Sequence, residues 1–272
     1  MQSQKPKNNH IKLRAYAKIN PSLKVAGKRA DGYHDIDSIM QSVSLHDEVE
    51  VREAPTGVSV KCSPAIAENI AEKAAKLFLD EIKLVKGVEI SIKKHIPVAS
   101  GLGGGSANAA AAIIGIDHVL GLNLHRNKLM EIGAKIGSDV PFCIVGGTCR
   151  VTGRGDKVEK ANPHSSAAFI LVIPKFEVPT RSVYEEFDRV GAGKNGNDLE
   201  LAASKLFPEI KNIKDSLVKA TGGNWKMSGS GPSLFMELSD ISESEKHVEA
   251  IRKLGLEFHV VKRMDSGVET IN

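Results

Sequence analysis

Apolar positions along the chain fall into two periods. Short apolar or alternating runs at Lys12–Ala17, Leu23–Val25, Glu48–Arg52, Val58–Cys62 and Val88–Ile92 predict strands. Ala67, Ile70, Ala71, Ala74, Leu77 and Phe78 recur at helical spacing and predict an amphipathic helix over Ala65–Leu84. A glycine-rich stretch, Ser100–Ser106, runs straight into the Ala-rich Ala107–Leu120. Alanine is the strongest helix former, so a helix is predicted there. A further helix is expected over Arg126–Ile136, ending before Gly137, and strands at Phe142–Val145 and Thr148–Thr152.

The pattern changes at Lys160–Ser166, where a domain boundary is expected, giving parts 1–162 and 163–272. Beyond it Ala167–Ile173 reads as an apolar strand. Helices are predicted at Arg181–Val190, Leu199–Leu206, Ile210–Thr221 and Glu243–Leu254. A hairpin is predicted from Trp225–Met227 and Ser233–Leu238 around Gly229-Ser230-Gly231, and a last strand at Phe258–Lys262. Strands and helices without strict alternation predict an α+β chain rather than a doubly wound sheet.

Composition narrows the class. The 272 residues are 41% hydrophobic and 26% charged, which suits a globular protein and excludes collagen-like, disordered and disulfide-scaffold readings. No apolar run approaches the ~18 residues of a membrane span. Three cysteines, Cys62, Cys143 and Cys149, lack metal-ligand spacing, and so sparse a set fits a reducing cytoplasm. The net charge of +4 is uneven. The first 30 residues hold eight Lys/Arg and no acid, which leaves 29 Lys/Arg against 33 Asp/Glu, a net −4, for the rest. The body is therefore not basic, and a nucleic-acid partner is not expected from charge. The N-terminal lysines precede no apolar segment, so a secretory signal is not expected either.

The strongest chemical signal is Pro97-Val98-Ala99-Ser100-Gly101-Leu102-Gly103-Gly104-Gly105-Ser106-Ala107-Asn108. Four glycines in five positions let backbone approach a ligand, and the helix behind them starts with unpaired N–H groups at its positive dipole end. Together these make an anion site suited to phosphate. Neither the GxxxxGK[ST] nor the GxGxxG spacing is present, so it is a cradle of another type.

Other candidates stay two-sided on the residues alone. Met227–Ser233 is a second glycine loop or a plain hairpin turn. Asp139, in Gly137-Ser138-Asp139-Val140-Pro141, is a general base or a helix N-cap. Lys18 interrupts an apolar strand, as a solvated strand-end lysine or a buried functional one. Tyr33, in a chain with only 4% aromatics, either stacks on a nucleobase or folds back on the core. Tyr184 could supply an opposing face or pack within its helix, and Asn197-Asp198 reads as a turn with a helix cap. Metalloprotease and serine-hydrolase motifs are absent.

Taken together these motifs resemble the GHMP kinases. Ala17-Lys18-Ile19-Asn20, Lys28-Arg29-Ala30-Asp31-Gly32-Tyr33-His34, Gly101–Ala110, Gly137–Phe142, Gly153-Arg154-Gly155-Asp156, Asn197–Glu200 and Met227–Pro232 match in order. The Arg-Ala-Asp-Gly-Tyr-His motif points to the branch acting on a methylerythritol that carries a cytidine diphosphate. Ser100 and Ala107 depart from residues common in the loop, but both are small.

The resemblance implies an N-terminal domain like the second domain of ribosomal protein S5 and a ferredoxin-like C-terminal domain, with the site between them. It implies ATP-dependent phosphorylation of the 2-hydroxyl in the non-mevalonate route to isoprenoid precursors, with Mg²⁺. On it, Asp139 is the base, with Lys18 beside it. Asn20, His34 and Thr180 contact the substrate, and Tyr33 and Tyr184 sandwich the cytosine. Pro97, Ser100, Gly101, Leu102, Gly103, Gly104, Gly105, Ser106 and Ala107 hold ATP, Asn69 and Lys94 approach adenine, and Ser106 meets phosphate or Mg²⁺. A small-molecule substrate, no nucleic acid, no membrane and a monomer or weak homodimer are expected. Another small-molecule GHMP kinase would keep the glycine loop without needing the aromatics. A non-catalytic RNA-binding module on the S5-like fold would leave Asp139, Lys18 and the loop unexplained.

Overall fold

The structure is a computed structural model that describes residues 9–66, 69–163, 165–193 and 196–271. In chain order its first part runs β1 (His10–Lys28), β2 (His34–Ala54), β3 (Val58–Ser63), α1 (Ile70–Glu81), β4 (Gly87–Lys93), α2 (Gly104–Val119), α3 (Arg126–Ile136), α4 (Val140–Val145), β5 (Thr148–Gly153) and β6 (Lys157–Lys160). The second part runs β7 (Ala168–Val172), α5 (Thr180–Val190), α6 (Glu200–Leu206), α7 (Pro208–Thr221), β8 (Trp225–Met227), β9 (Leu234–Leu238), α8 (Glu245–Lys253), β10 (Phe258–Lys262) and β11 (Val268–Thr270).

Two sheets result. The first has the order β11-β1-β2-β4-β3, with β5 also on β2 and β6 on β5. All its pairings are antiparallel except β3 with β4, which α1 connects. The second is the antiparallel sheet β10-β7-β9-β8. Helix α2 lies across β1 and β2 with α1, α3 and α4 around it. It is covered on nearly every side, which its alanines permit: Ala107, Ala109–Ala112, Ile113 and Ile116 are all buried. Gly115 brings helix and sheet together, since a Cβ there would lie 2.5 Å from Val51 Cγ2 on β2.

A small apolar cluster joins the sheets. Ala17, Ile19 and Val43 of the first sheet meet Phe169, Leu171, Phe235 and Val261 of the second, with Ile96 and Leu102 between. The chain also crosses back at its end. After β10, Met264 N donates to Ser42 O, Tyr16 N donates to Gly267 O, and β11 pairs with β1. Residues 268–270 therefore belong to the first sheet although they follow the second in sequence.

Most predicted elements form, with instructive differences. Lys12–Ala17 and Leu23–Val25 are one strand, β1, bent by irregularities at Tyr16/Ala17, Ile19/Ser22 and Val25/Gly27. Strand β2 begins at His34, well before the predicted Glu48, because the residues it turns inward include Ser38, Gln41 and Ser42 and hide the alternation. Phe142–Val145 is helical, not extended; Pro141 sits in its first turn and Gly146, at φ +61°, ends it. A four-residue apolar run cannot separate strand from buried helix by period. Helix α1 starts only at Ile70, capped by Asn69 Oδ1, which accepts from Ala71 N at 2.9 Å; Ala67 lies outside the described residues. No pattern announced β6 or β11.

Filling the α2–sheet contact is expected to be costly. Gly115→Leu should destabilise the fold by about 1–3 kcal/mol through overpacking against Val51 and Leu13. Thermal unfolding checks this, and an unchanged Tm would mean that the contact has slack.

Candidate active site

One cleft of about 430 Å³ opens where the glycine loop, the middle of β1, the end of β4 and the start of α5 converge. Its lining includes Lys18, Asn20, Asn69, Lys94, Gly101, Gly103–Gly105, Ser106, Asp139, Thr180 and Tyr184. Helix α2 begins here with Gly103 in a left-handed conformation at φ +70°. Its first residues line the cleft and no side chain caps them, so the helix start offers the donor array a phosphate needs.

The two glycine loops build the cleft by touching. A Cβ on Gly101 would lie 2.6 Å from Gly231 O and 2.8 Å from Ser228 O. Ser233 N donates to Ser100 O at 3.2 Å. Asn197 locks the second loop from behind: its Nδ2 donates to Met227 O and Gly229 O, both at 2.8 Å, while its Oδ1 accepts from Leu199 N. The Asn197 turn therefore serves the loop, and α6 starts behind Leu199 with no side-chain cap.

Lys18 is lodged between these loops. Its stem passes Gly103, where a Cβ would come within 2.9 Å of Cγ, and its ammonium lies beside Gly229. Lys18 N donates to Leu102 O, and Nζ donates to Asn20 Oδ1 at 2.8 Å. Asn20 in turn donates to Ser38 Oγ, whose hydroxyl donates to Ser22 O. Lys18 is only 5% exposed, and its ammonium is thereby fixed 3.6 Å from Asp139 Oδ2. Asp139 occupies the N-cap position of α4 but its carboxylate makes no capping bond. Asp139 thus stands at the cap position without capping the helix through its side chain.

Lys94 is held from the other side. Its Nζ donates to the fully buried Asp47, which also accepts from His95 N at 2.6 Å and Ile96 N at 2.8 Å. A Cβ on Gly104 would lie 2.9 Å from Lys94 Nζ, so the α2 N-terminus and this cation share one corner. Asp47 had no sequence signal, because nothing local marks a carboxylate that is paired across the sheet.

Residues 69–147 match the GHMP kinases N terminal domain, and residues 183–255 match GHMP kinases C terminal. The 4-diphosphocytidyl-2-C-methyl-D-erythritol kinase of Clostridium acetobutylicum is 38% identical over 89% of this chain and 96% of its own length. The chain belongs to this GHMP kinase family. The same-named protein of Acetivibrio thermocellus is 41% identical over 87% of this chain and 91% of its own. A crystal structure of 4-(cytidine 5'-diphospho)-2C-methyl-D-erythritol kinase superposes with TM-score 0.77 at 28% identity, covering 93% of this chain and 99% of that one. Homoserine kinase from Cytophaga hutchinsonii shares the fold at TM-score 0.77 and 21% identity, covering both chains fully. The α+β, two-part architecture is the GHMP kinase fold.

Not every expected site residue of this GHMP kinase lines the cleft. Leu102 is buried in the inter-sheet cluster and anchors the loop through its side chain. Ala107 is a fully buried residue of the first turn of α2, its N–H donating to Gly103 O. Tyr33 is 51% exposed, with the Arg154 guanidinium carbon 5.6 Å from its ring centre. His34 stacks on Tyr184 at 4.9 Å and donates from Nε2 to Asp188 Oδ1 at 2.6 Å. Thus His34 covers one face of Tyr184 in this structure. Burial, and the negative charge of Asp139, push the Tyr184 phenol well above its ordinary range, so it stays neutral. Thr180 and Ser230 share a hydroxyl hydrogen bond of 2.9 Å at the rim.

Asp188 ties the two parts together. Its carboxylate accepts from Lys28 Nζ and His34 Nε2, each at 2.6 Å, and these bonds hold its pKa below the ordinary carboxylate value. A depressed folded-state pKa adds stability above the unfolded value near 4, and that stability is lost as pH falls through the folded one. Asp188→Asn should lower Tm by about 1–3 °C near pH 7, and the gap should close as pH drops below about 4. Thermal unfolding of both proteins across this range checks it; a gap independent of pH would assign the effect to packing instead.

Proposed function

We propose that this GHMP kinase transfers the terminal phosphoryl group of ATP to the 2-hydroxyl of 4-diphosphocytidyl-2-C-methyl-D-erythritol. The observation that carries the chemistry is the Lys18–Asp139 pair facing the unpaired N–H groups of α2 in one cleft. The relatives' shared name supplies the acceptor. In this reading Asp139 Oδ2 takes the hydroxyl proton as the substrate oxygen bonds to phosphorus. The bond from that phosphorus to the bridging oxygen breaks, and ADP leaves with its electron pair. Lys18, immobilised by Asn20 and the glycine loops, orients the hydroxyl and offsets charge gathering between it and the phosphates. Gly101, Gly103, Gly104, Gly105 and Ser106 donate backbone N–H groups to the phosphates, with Pro97 and Ser100 shaping the loop.

Asn69 and Lys94 form the nucleotide's base end. Asn20, Thr180, Tyr184, His34 and Tyr33 form the acceptor side, the two tyrosines supplying stacking surfaces for cytosine. Because Tyr33 lies outside the cleft lining and His34 covers one face of Tyr184, this role requires the Arg29–His34 turn to move inward. Residues 1–162 hold the nucleotide and lend Asn20, Tyr33 and His34 to the acceptor side, while 163–272 supply Thr180 and Tyr184, the tail strand Val268–Thr270 returning to the first sheet. In this reading the protein works as a monomer or weak homodimer in the cytoplasm. Among the described residues no helix is long and apolar enough to cross a membrane.

Among the described residues no three His, Cys, Asp or Glu side chains gather around a metal. Mg²⁺ in phosphoryl-transfer sites needs only one or two protein oxygens besides phosphate and water. The cleft-lining Ser106 hydroxyl at the start of α2 fits that demand and would hold it. The ion would offset phosphate charge when bound.

The test is product formation, read by mass spectrometry, with Mg-ATP and the cytidyl compound, homoserine, mevalonate or galactose. Gain of one phosphate on the cytidyl compound alone is expected; phosphorylation of another acceptor instead would keep the kinase and discard this acceptor. Asp139→Ala should cut kcat at least ~10²-fold with little change in substrate binding. Near-normal turnover would remove Asp139 from the chemistry.

A further inference from the structure

The end of the chain crosses the molecule behind the Lys18–Asp139 pair. Lys18 is fixed through Asn20 and the two glycine loops. Asp139 has no such hold: its carboxylate caps nothing, and Lys18 at 3.6 Å is its only ion-pair partner among the described residues. Its place therefore depends on where α4 sits. That helix is six residues long. Cys143 N donates to Asp139 O and Gly146 N to Phe142 O, so the stretch from Asp139 to Gly146 moves as one piece.

Residues 263–267 form a strap between β10 and β11 that reaches this piece from the second sheet. Met264 N donates to Ser42 O, and Gln41 Nε2 donates to Met264 O at 2.9 Å. Lys160 Nζ donates to Gly146 O at 2.8 Å and to Asp265 O at 3.2 Å, which ties the strap to the end of α4. A Cβ on Gly146 would lie 1.6 Å from Gly267 N, and one on Gly267 would lie 1.9 Å from Cys143 O. Backbone therefore rests on backbone. The φ of Gly267 lies outside the left-handed region, so the position wants glycine for room and not for angle. On its other side Gly267 O accepts from Tyr16 N at 2.9 Å. Tyr16 stands two residues before Lys18 on β1, and Cys143 stands four after Asp139 on α4. Gly267 is thus a spacer between the element that carries the ammonium and the element that carries the carboxylate.

We propose that Gly267 is a positioning residue for phosphoryl transfer. Through its backbone the strap sets the seat of α4 against β1, and with it the reach of Asp139 to the substrate hydroxyl. The inference rests on the reading of Asp139 as the base. Gly267 is not part of the cleft lining, so its effect belongs to kcat and not to binding. A displacement of about 1 Å in a positioned group costs on the order of 10²-fold in rate.

Steady-state kinetics on the full chain, with Mg-ATP and the cytidyl compound, test it in the parent, Gly267→Ala, Asp139→Ala and the double variant. Gly267→Ala should lower kcat about 10- to 100-fold, with both KM values within about threefold of the parent. In the Asp139→Ala background the same change should cost less than about twofold, since a misplaced carboxylate matters only where there is one. General loosening of the fold would instead cost the same in both backgrounds. Should Gly267→Ala fail to fold, Lys160→Met takes its place, removing the ammonium between Gly146 O and Asp265 O. It should lower kcat about 3- to 10-fold in the parent and not in Asp139→Ala, while Lys160→Arg, which keeps a cation, stays within about twofold. Parent-like kcat in the variant that folds would overturn the proposal, as would a loss equal in both backgrounds or one confined to KM. Near-normal turnover of Asp139→Ala would sink the reading of the base and this proposal with it, whereas an impaired Asp139→Ala beside a parent-like Gly267→Ala sinks the proposal alone. Were another acceptor of the product panel phosphorylated instead, the same cycle would be run on it, so a wrong acceptor leaves this test intact.

Discussion

Backbone meets backbone where the two glycine loops touch, and the rest of the site depends on that contact. Gly101 faces Gly231 O and Ser228 O at distances that admit no side chain, at a φ of +79° that few other residues adopt. The contact closes the gap between a seven-stranded and a four-stranded sheet and leaves a cleft beside it. It also makes a slot for one lysine. Gly103 admits the Lys18 stem and Gly229 admits its ammonium. A flexible cation would otherwise sample many rotamers in solvent; here it is fixed toward Asp139 before any substrate arrives.

Around this contact the apolar packing and the polar tethers divide the labour. The inter-sheet cluster of Ala17, Ile19, Leu102, Phe169 and Phe235 sets the distance between the sheets. Polar bonds set the angles. Asn197 bridges the second glycine loop to β1, where Leu23 N and Leu23 O bond the neighbouring backbone, and Asp198 accepts from Val25 N. Asp188 links α5 to the Lys28 and His34 ends of the first two strands. The α5 side of the cleft is thus held by a few side-chain bonds, whereas the glycine-loop side is backed by the buried α2.

How far the sequence could be read depended on the range of the forces involved. Helix α2 was legible because alanine propensity and the preceding glycines are local. The strands with inward Val and Ile were legible for the same reason. Strand β2 before Glu48 was not, because Ser38, Gln41 and Ser42 face inward and take partners distant in sequence, Ser22, Met264, Thr148 and Gly147 among them. Lys18 and Asp139 were each ambiguous alone, and only the ordered set of motifs favoured their catalytic reading. Leu102 and Ala107 belong to the motif yet turn away from the cleft, since a motif records what the loop needs to fold as well as what it binds.

The chain by itself determined the elements whose causes lie within a few residues: the glycine loop, the helix it opens, the positive-φ turns and the apolar stripes. It also carried enough ordered motif to fix the family. Only the tertiary structure decided which polar groups meet. Asp47 with Lys94, Asn197 with the second glycine loop, Asp188 with His34, and the tail strand with β1 join residues far apart in sequence. The physical reason is common to all of them. A buried polar group must be paired, and which partner pairs it is settled by how the sheets and helices close in space.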